Sequence, residues 1–197
     1  DIQPAQKLGL ATFHVDGESA SSSGPEAGAR GTLTDLRRWL ESADVKSLLP
    51  NFNSVDSILA VTMSTPAVLN GLLSEVTSEQ WKRKSSIDAW TLTELVCHLR
   101  DTEREIHHMQ LKLFTEQDEP FIPRPDTGVW ASQRDYLHEN GVTVLAEFNA
   151  ARQTTMSALK NISLDDWKRK ARHAIFGPTT FQEVVGFIAE HDRLHIQ

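Results

Sequence analysis

One pattern occurs twice in the chain and constrains its fold more than any other feature. A Trp-Lys-Arg-Lys stretch leads through a loop into a segment that begins with a capping box, at 81–84 before 91–94 and again at 167–170 before 180–183. A capping box satisfies free N–H groups at the start of a helix. The copies lie about 86 residues apart, too far for a solenoid repeat. The pattern therefore predicts two helical hairpins packed with pseudo-twofold symmetry into an all-α four-helix bundle.

Apolar residues at helical spacing predict where these helices lie within a bundle domain at 51–197. Pro66 predicts a kink or restart in the first helix, and Gly141 predicts a bend in the third. The Trp-Lys-Arg-Lys stretches are interpreted as solvated charges at helix ends beside a packed tryptophan, with phosphate or acidic-partner binding as the alternative. The four predicted helices cover about 56–75, 91–114, 130–160 and 180 to the end.

Residues 1–50 are predicted to form an N-terminal extension. The sequence predicts a short helix, a turn at Gly9 and a strand at 10–15 that lacks an evident partner. A Gly/Ser-rich linker at 17–31 and an amphipathic helix at 33–49 follow.

Residues 1–16 resemble the C-terminal tail of haloacid-dehalogenase-like hydrolases, where Asp1 matches the second acid of a metal-binding loop. The resemblance implies the remnant of an upstream hydrolase domain, and a coincidental match is the alternative. The nucleophile, Thr/Ser and Lys motifs of that family are absent, so no phosphatase activity is carried over.

Composition excludes several classes of function. The net charge of −7, from 20 basic and 27 acidic side chains, argues against nucleic-acid binding. No apolar run approaching the ~18 residues of a membrane span is evident, so no membrane partner is expected. No signal peptide is recognised and Cys97 is the single cysteine, which predicts a cytoplasmic protein without disulfides. Cys97 itself is expected to be a small buried group.

Histidines mark a candidate metal site. His191 and His195 lie one turn apart in the middle of the apolar stripe of the fourth helix, and His98 lies on the inward shoulder of the second. Three histidines with one open position are typical of a catalytic site for Zn, Ni, Fe or Mn. The alternative is that the three rings only hydrogen-bond one another. The adjacent His107 and His108 are predicted to lie on the surface, and no role is assigned to the histidines at 14, 138 and 173.

Two segments carry a family resemblance. Trp90-Thr-Leu-Thr-Glu-Leu-Val-Cys-His98-Leu-Arg-Asp101 and the terminal His191-Asp-Arg-Leu-His195 resemble the signature of the DinB/YfiT-like metalloenzymes, over about residues 54–197. The resemblance implies an up-and-down four-helix bundle, a divalent metal on the three matching histidines and, in many members, a homodimer. Its characterised members include thiol-dependent S-transferases and a thiol-dependent isomerase.

The resulting functional hypothesis is a divalent-metal-dependent enzyme that transfers a low-molecular-weight thiol to an electrophilic small molecule. The alternative is a non-catalytic metal-binding or interaction domain fused to a hydrolase. Asp101 is a candidate to orient a ligand imidazole or contact a metal-bound water, or else a surface residue. Arg152, within the apolar stripe of the third helix, is expected either to extend to solvent or to bind an anionic group of a substrate.

Overall fold

The computed structural model describes residues 2–16, 29–87 and 89–196. The chain divides into two compact units, Asp1–Ala60 and Val61–Gln197. Most of the predicted linker at 17–31 lies outside the described residues, but its last three residues form a strand.

The first unit pairs two short strands. The predicted strand is shorter than expected and is not alone, because Phe13 pairs in parallel with Ala29. The predicted helix at 33–49 is divided in two, since Asp44 caps a new helix by accepting the backbone N–H of Lys46. The elements are α1 (Ile2–Lys7), β1 (Phe13–Val15), β2 (Ala29–Gly31), α2 (Leu33–Ser42) and α3 (Val45–Leu48).

Helix α4 (Val55–Leu73) continues through Pro66 without a restart. Proline has no N–H to give to the carbonyl of Thr62, four residues earlier. Arg152 fills this gap by donating from Nη1 to the Thr62 oxygen at 2.9 Å.

By length and composition α4 could cross a membrane, with a mean hydropathy of 1.2 over 18 residues. The sequence-based statement that no run approaches this length is therefore wrong. Core helices of bundles pass the same test, and Thr65 of α4 donates to the buried carboxylate of Asp192 at 2.8 Å. We assign α4 to the bundle, and the absence of a membrane partner stays a prediction.

The second unit is mostly helical. Both predicted capping boxes are confirmed, at Thr91 with Glu94 and at Thr180 with Glu183. The third predicted helix is interrupted before Gly141, where Asp135 adopts a left-handed backbone with φ of 54°. The helices are α5 (Ser78–Trp81), α6 (Leu92–Asp101), α7 (His108–Glu116), α8 (Trp130–Gln133), α9 (Gly141–Leu159) and α10 (Phe181–Ile196), with a π-helical segment (Thr102–His107) and 3-10 turns (Tyr136–His138, Asp166–Lys168).

Strands also occur, so the all-α prediction is corrected to a mostly helical bundle with small sheets. Three strands form one sheet, in which the central strand pairs in parallel with the first and antiparallel with the third. Parallel pairing of segments far apart in sequence leaves no local signal that would predict it. The strands are β3 (Phe121–Ile122), β4 (Lys170–His173) and β5 (Gly177–Thr180).

The two Trp-Lys-Arg-Lys stretches differ in their contacts. Trp81 and Trp167 are both buried, as predicted. Arg169 of the second stretch is not merely a solvated charge, because its guanidinium donates to the carbonyls of Phe114 and Gln117, at 2.5 and 2.9 Å. It thus satisfies carbonyl groups at the end of α7.

Gly141 begins α9 directly against a tryptophan ring. A Cβ at this position would lie 2.3 Å from Cε3 of Trp81, whereas a Cβ at Gly71 meets no atom within 4 Å. We expect Gly141→Ala to destabilise the protein by about 1–3 kcal/mol through overpacking. Gly71→Ala is the control and should stabilise by up to about 1 kcal/mol, as alanine favours helix. Urea unfolding measures both, and equal effects of the two substitutions would contradict the packing argument.

Candidate metal centre

Helices α6 and α10 bring the three predicted histidines together. Nε2 of His98 lies 3.0 Å from Nε2 of His191. The ring of His195 lies 4.9 Å from that of His98 and 4.6 Å from that of His191, between centroids. One nitrogen from each of the three rings falls within 4.8 Å of the others. Trp90 covers the cluster, with its ring nearly parallel to that of His195 at 6.2 Å.

Burial keeps these rings neutral. Burial, followed by the charges of His195 and His107, lowers the pKa of His98 to about 4. Burial and the neighbouring histidines lower the pKa of His191 to about 2, and burial also lowers that of His195. Neutral imidazole is the form that binds metal ions, so the cluster offers lone pairs at neutral pH.

The donor set fits a divalent transition metal. Neighbouring ligands about 2.1 Å from such an ion lie roughly 3.0–3.4 Å apart, which matches the contact between His98 and His191. Hydrogen bonding between those two rings leaves both of their Nδ1 atoms enclosed without a partner. Both Nδ1 atoms would also lack a partner with an ion on the Nε2 atoms, so the fit to a metal rests on the short contact between the two Nε2 atoms.

His107 belongs to the same site, so the prediction that it lies on the surface is wrong. It is buried, its Nδ1 lies 2.8 Å from Oε2 of Glu103, and its ring stands edge-on to His191 at 5.7 Å. A carboxylate oxygen only accepts hydrogen bonds, so Nδ1 of His107 carries a proton and donates it to Glu103. His108 is half-buried and donates to the carbonyl of Ala151.

The π-helical segment explains this error. Its turns are wider than those of an α-helix, so residues beyond it rotate away from the positions expected at 100° per residue. The sequence contains an indication of this rotation. At 100° per residue, Leu111 and Phe114 would lie about 120° and 60° from Leu99, yet all three residues are buried.

Arg152 is completely buried between two carboxylates, so neither of its predicted roles is correct. Its guanidinium donates to both carboxylate oxygens of Glu103, at 2.9 and 2.8 Å, and to both of Asp192. With the Thr62 carbonyl, all five N–H groups of Arg152 have an acceptor. Because Asp192 follows His191, this network anchors the histidine-bearing face of α10.

The ionisation of Glu103 should make the stability of the protein depend on pH in the acidic range. Burial alone would raise the pKa of Glu103, but His107 and Arg152 outweigh burial and hold the pKa well below the usual value near 4.5. A carboxylate with a depressed pKa contributes stability above its unfolded pKa and loses that stability as the pH falls towards its folded pKa. We expect the difference in unfolding free energy between wild type and Glu103→Gln to be largest near pH 7 and to shrink below about pH 4.5. Urea titrations from pH 3 to 7 measure it, and a pH-independent difference would contradict the assignment.

The hydrogen-bond partners described for Asp101 are residues other than the clustered histidines. Asp101 is buried, not on the surface, and accepts from Arg100 at 2.7 Å, Arg134 at 2.9 Å and the Tyr136 hydroxyl at 2.7 Å. Burial opposes its ionisation, but these donors hold its pKa below the usual range. Asp101 therefore anchors neighbouring segments, and among the described contacts it does not orient a ligand imidazole.

Cys97 is buried, as predicted, and burial raises the pKa of its thiol to about 12. A thiol in this state is a poor nucleophile at neutral pH. Cys97 is therefore not a candidate nucleophile of the site.

A cavity of about 250 Å³ opens beside the cluster. His191 and His107 form part of its wall, and His173 of β4 also faces it. No role for His173 is predicted from the sequence, because its position in the cavity wall depends on the three-stranded sheet, which the sequence does not predict. The apolar part of the lining comprises Ile106, Pro125, Phe176, Phe187, Ile188 and Leu194.

Comparisons with known proteins agree with this architecture. A protein of Oceanobacillus iheyensis, provisionally named a metal-dependent hydrolase, is 24% identical over 131 residues, 66% of this chain and 75% of that protein. YfiT of Bacillus subtilis, also provisionally described as a metal-dependent hydrolase, has a four-helix bundle of unusual topology. It superposes with a TM-score of 0.63 at 22% identity, covering 72% of this chain and 81% of YfiT.

The likeness to YfiT confirms the predicted four-helix bundle, while the up-and-down order of its helices stays a prediction. Residues 1–16 lie outside the region matched by the family model, and their resemblance to a hydrolase tail stays a prediction. The family model of the DinB superfamily matches residues 63–197, and the chain belongs to that superfamily.

Proposed function

We propose that this protein is a divalent-metal-dependent enzyme, with His98, His191 and His195 as the metal ligands. The supporting observation is the cluster of one buried and two half-buried imidazoles beside a cavity. The metal-dependent hydrolase names of two relatives agree with this proposal. When bound, a divalent metal would supply Lewis acidity, which lowers the pKa of a coordinated nucleophile.

The chain's own residues would prepare the reaction. The Arg152 network holds α10 so that His191 faces His98, and Trp90 shields the opposite side of the cluster. His107 presents Nε2 towards the cavity and is suited to accept a proton from the nucleophile, while Glu103 stabilises the charge that the ring acquires. The apolar part of the cavity wall would favour a substrate with an apolar portion.

We further propose that the nucleophile is a low-molecular-weight thiol and the acceptor a small electrophile. The family resemblance supports this choice, and the inert Cys97 means that a reactive thiol would have to arrive from outside the protein. Water as nucleophile, which the relatives' names favour, is the alternative. A cytoplasmic location and a homodimer remain part of the proposal.

One experiment distinguishes these possibilities. Protein loaded separately with Zn²⁺, Ni²⁺, Fe²⁺ or Mn²⁺ is assayed with an aromatic electrophile and a set of small thiols, and in parallel with activated esters without thiol. We expect metal-dependent thioether formation that is lost in His107→Gln with the metal content retained. Ester hydrolysis without thiol transfer would support a hydrolase, and bound metal with neither activity would support the non-catalytic alternative.

A further inference from the structure

We propose that the cavity beside the histidine cluster contains an anion subsite, formed by His173 and Arg124, which binds a small carboxylate-bearing molecule. This inference deepens the proposed function, because it names the charged end of the substrate. The residues that support it, His173 of β4 and Arg124 in the loop after β3, lie in the cavity wall. Neither is one of the three candidate metal ligands.

His173 is a fixed hydrogen-bond donor. Its Nδ1 accepts the backbone N–H groups of Ile175 and Phe176, at 3.2 and 3.3 Å. The proton of the neutral ring must then be on Nε2. Burial, followed by the charge of Arg124, lowers the pKa of His173, which keeps the ring in this neutral form.

The donor of His173 faces the cavity. The residue is 5% exposed, and its ring packs against the rings of Phe176 and Phe187, at 4.9 and 5.3 Å, which also contact each other at 4.7 Å. Among the described residues, the fully buried ring nitrogens that lack a hydrogen-bond partner are Nδ1 of His98 and Nδ1 of His191. Nε2 of His173 is not one of them and has no described partner, so this atom is accessible. Nε2 thus offers an unused N–H to a molecule in the cavity.

Arg124 supplies the positive charge. It lines the same cavity and is exposed, and no carboxylate among the described residues pairs with it. Glu190, the acidic residue of the lining, is engaged by Arg193 at 2.8 Å. A guanidinium and a neutral N–H donor therefore share one cavity, and the carboxylate of its lining, Glu190, is paired with Arg193 and not with either of them.

This arrangement selects the chemistry of the ligand. A carboxylate accepts several hydrogen bonds and gains from a nearby guanidinium, whereas a primary amide of the same shape gains much less. Aromatic and aliphatic side chains form much of the remaining wall, so a small aromatic or branched acid complements the cavity. With its carboxylate at His173, such a molecule would place its other end near His191.

The test uses benzoate and benzamide with metal-free protein, so that a carboxylate cannot bind through a metal ion. Titrations followed by calorimetry and by NMR chemical shifts should show benzoate binding at least about tenfold more tightly than benzamide. Arg124→Met and His173→Phe should each remove most of this preference. Arg172→Met, an equal loss of charge at an exposed position of the same strand, is the control and should retain it.

His173→Gln separates the hydrogen bond from a structural role. Its amide N–H can occupy the place of Nε2–H, so it should bind benzoate more tightly than His173→Phe does. Equal binding of the two ligands by wild-type protein, or wild-type binding by Arg124→Met, would overturn the proposal. Failure to bind metal would instead count against the proposed enzyme and leave this result unaffected.

Discussion

Replacing His191 with alanine should abolish stoichiometric metal binding. Loss of a direct ligand is expected to exceed the roughly 10–100-fold loss of affinity that follows removal of an outer-shell partner. Saturating metal at about 100 times its dissociation constant stabilises a folded protein by about 2.7 kcal/mol. Wild-type protein should therefore gain roughly 5–10 °C in Tm on adding metal, and His191→Ala should gain none. Metal analysis and thermal unfolding, with and without chelator, measure both effects.

Matched variants make this prediction specific. His98→Ala and His195→Ala should behave like His191→Ala, whereas His138→Ala removes a solvent-exposed imidazole and should leave metal content unchanged. Metal binding that survives the loss of all three clustered histidines would refute the proposed site. An unchanged Tm on metal removal from wild type would do the same.

Arg152→Met should be the most destabilising single substitution in the bundle. It leaves the carboxylates of Glu103 and Asp192 buried without their cation, and breaking a buried pair in this way costs about 3–5 kcal/mol. For a chain of this size the Tm should fall by roughly 6–20 °C. Because Arg152 is buried, the expected loss of stability is far larger than the loss expected for an ion pair on the surface.

Lys112→Met provides the comparison. Lys112 pairs with Glu116 on the exposed face of α7, and such pairs contribute at most about 0.5 kcal/mol. A double variant, Arg152→Met with Asp192→Asn, should recover part of the lost stability by removing one unpaired charge. Similar stabilities of Arg152→Met and Lys112→Met in urea unfolding would show that the network is not a structural anchor.

Local patterns in the sequence were sufficient to predict the bundle and the histidine cluster. Capping boxes and apolar spacing depend on residues within a few positions of each other, so the starts of α6 and α10 were confirmed. The placement of His191 and His195 follows from the same spacing. His98 could be placed because it precedes the π-helical segment.

Other features depend on contacts between distant parts of the chain. The rotation of His107 into the site follows from a non-α turn that the 100° rule does not include. Arg152 seemed anomalous in an apolar stripe because its acidic partners lie on other helices. The position of His173 depends on pairing between β3 and β4, which no local pattern specifies.

The hydrogen-bond acceptors of Arg152 have a consequence for how the bundle unfolds. They lie 90, 49 and 40 positions away along the chain, at Thr62, Glu103 and Asp192. Detaching any one of these segments would leave a charge or a carbonyl stranded in the interior, so opening of a single helix is penalised. The four segments should therefore separate as one cooperative unit, and the histidines of α10 can assemble with His98 only once the whole bundle has formed.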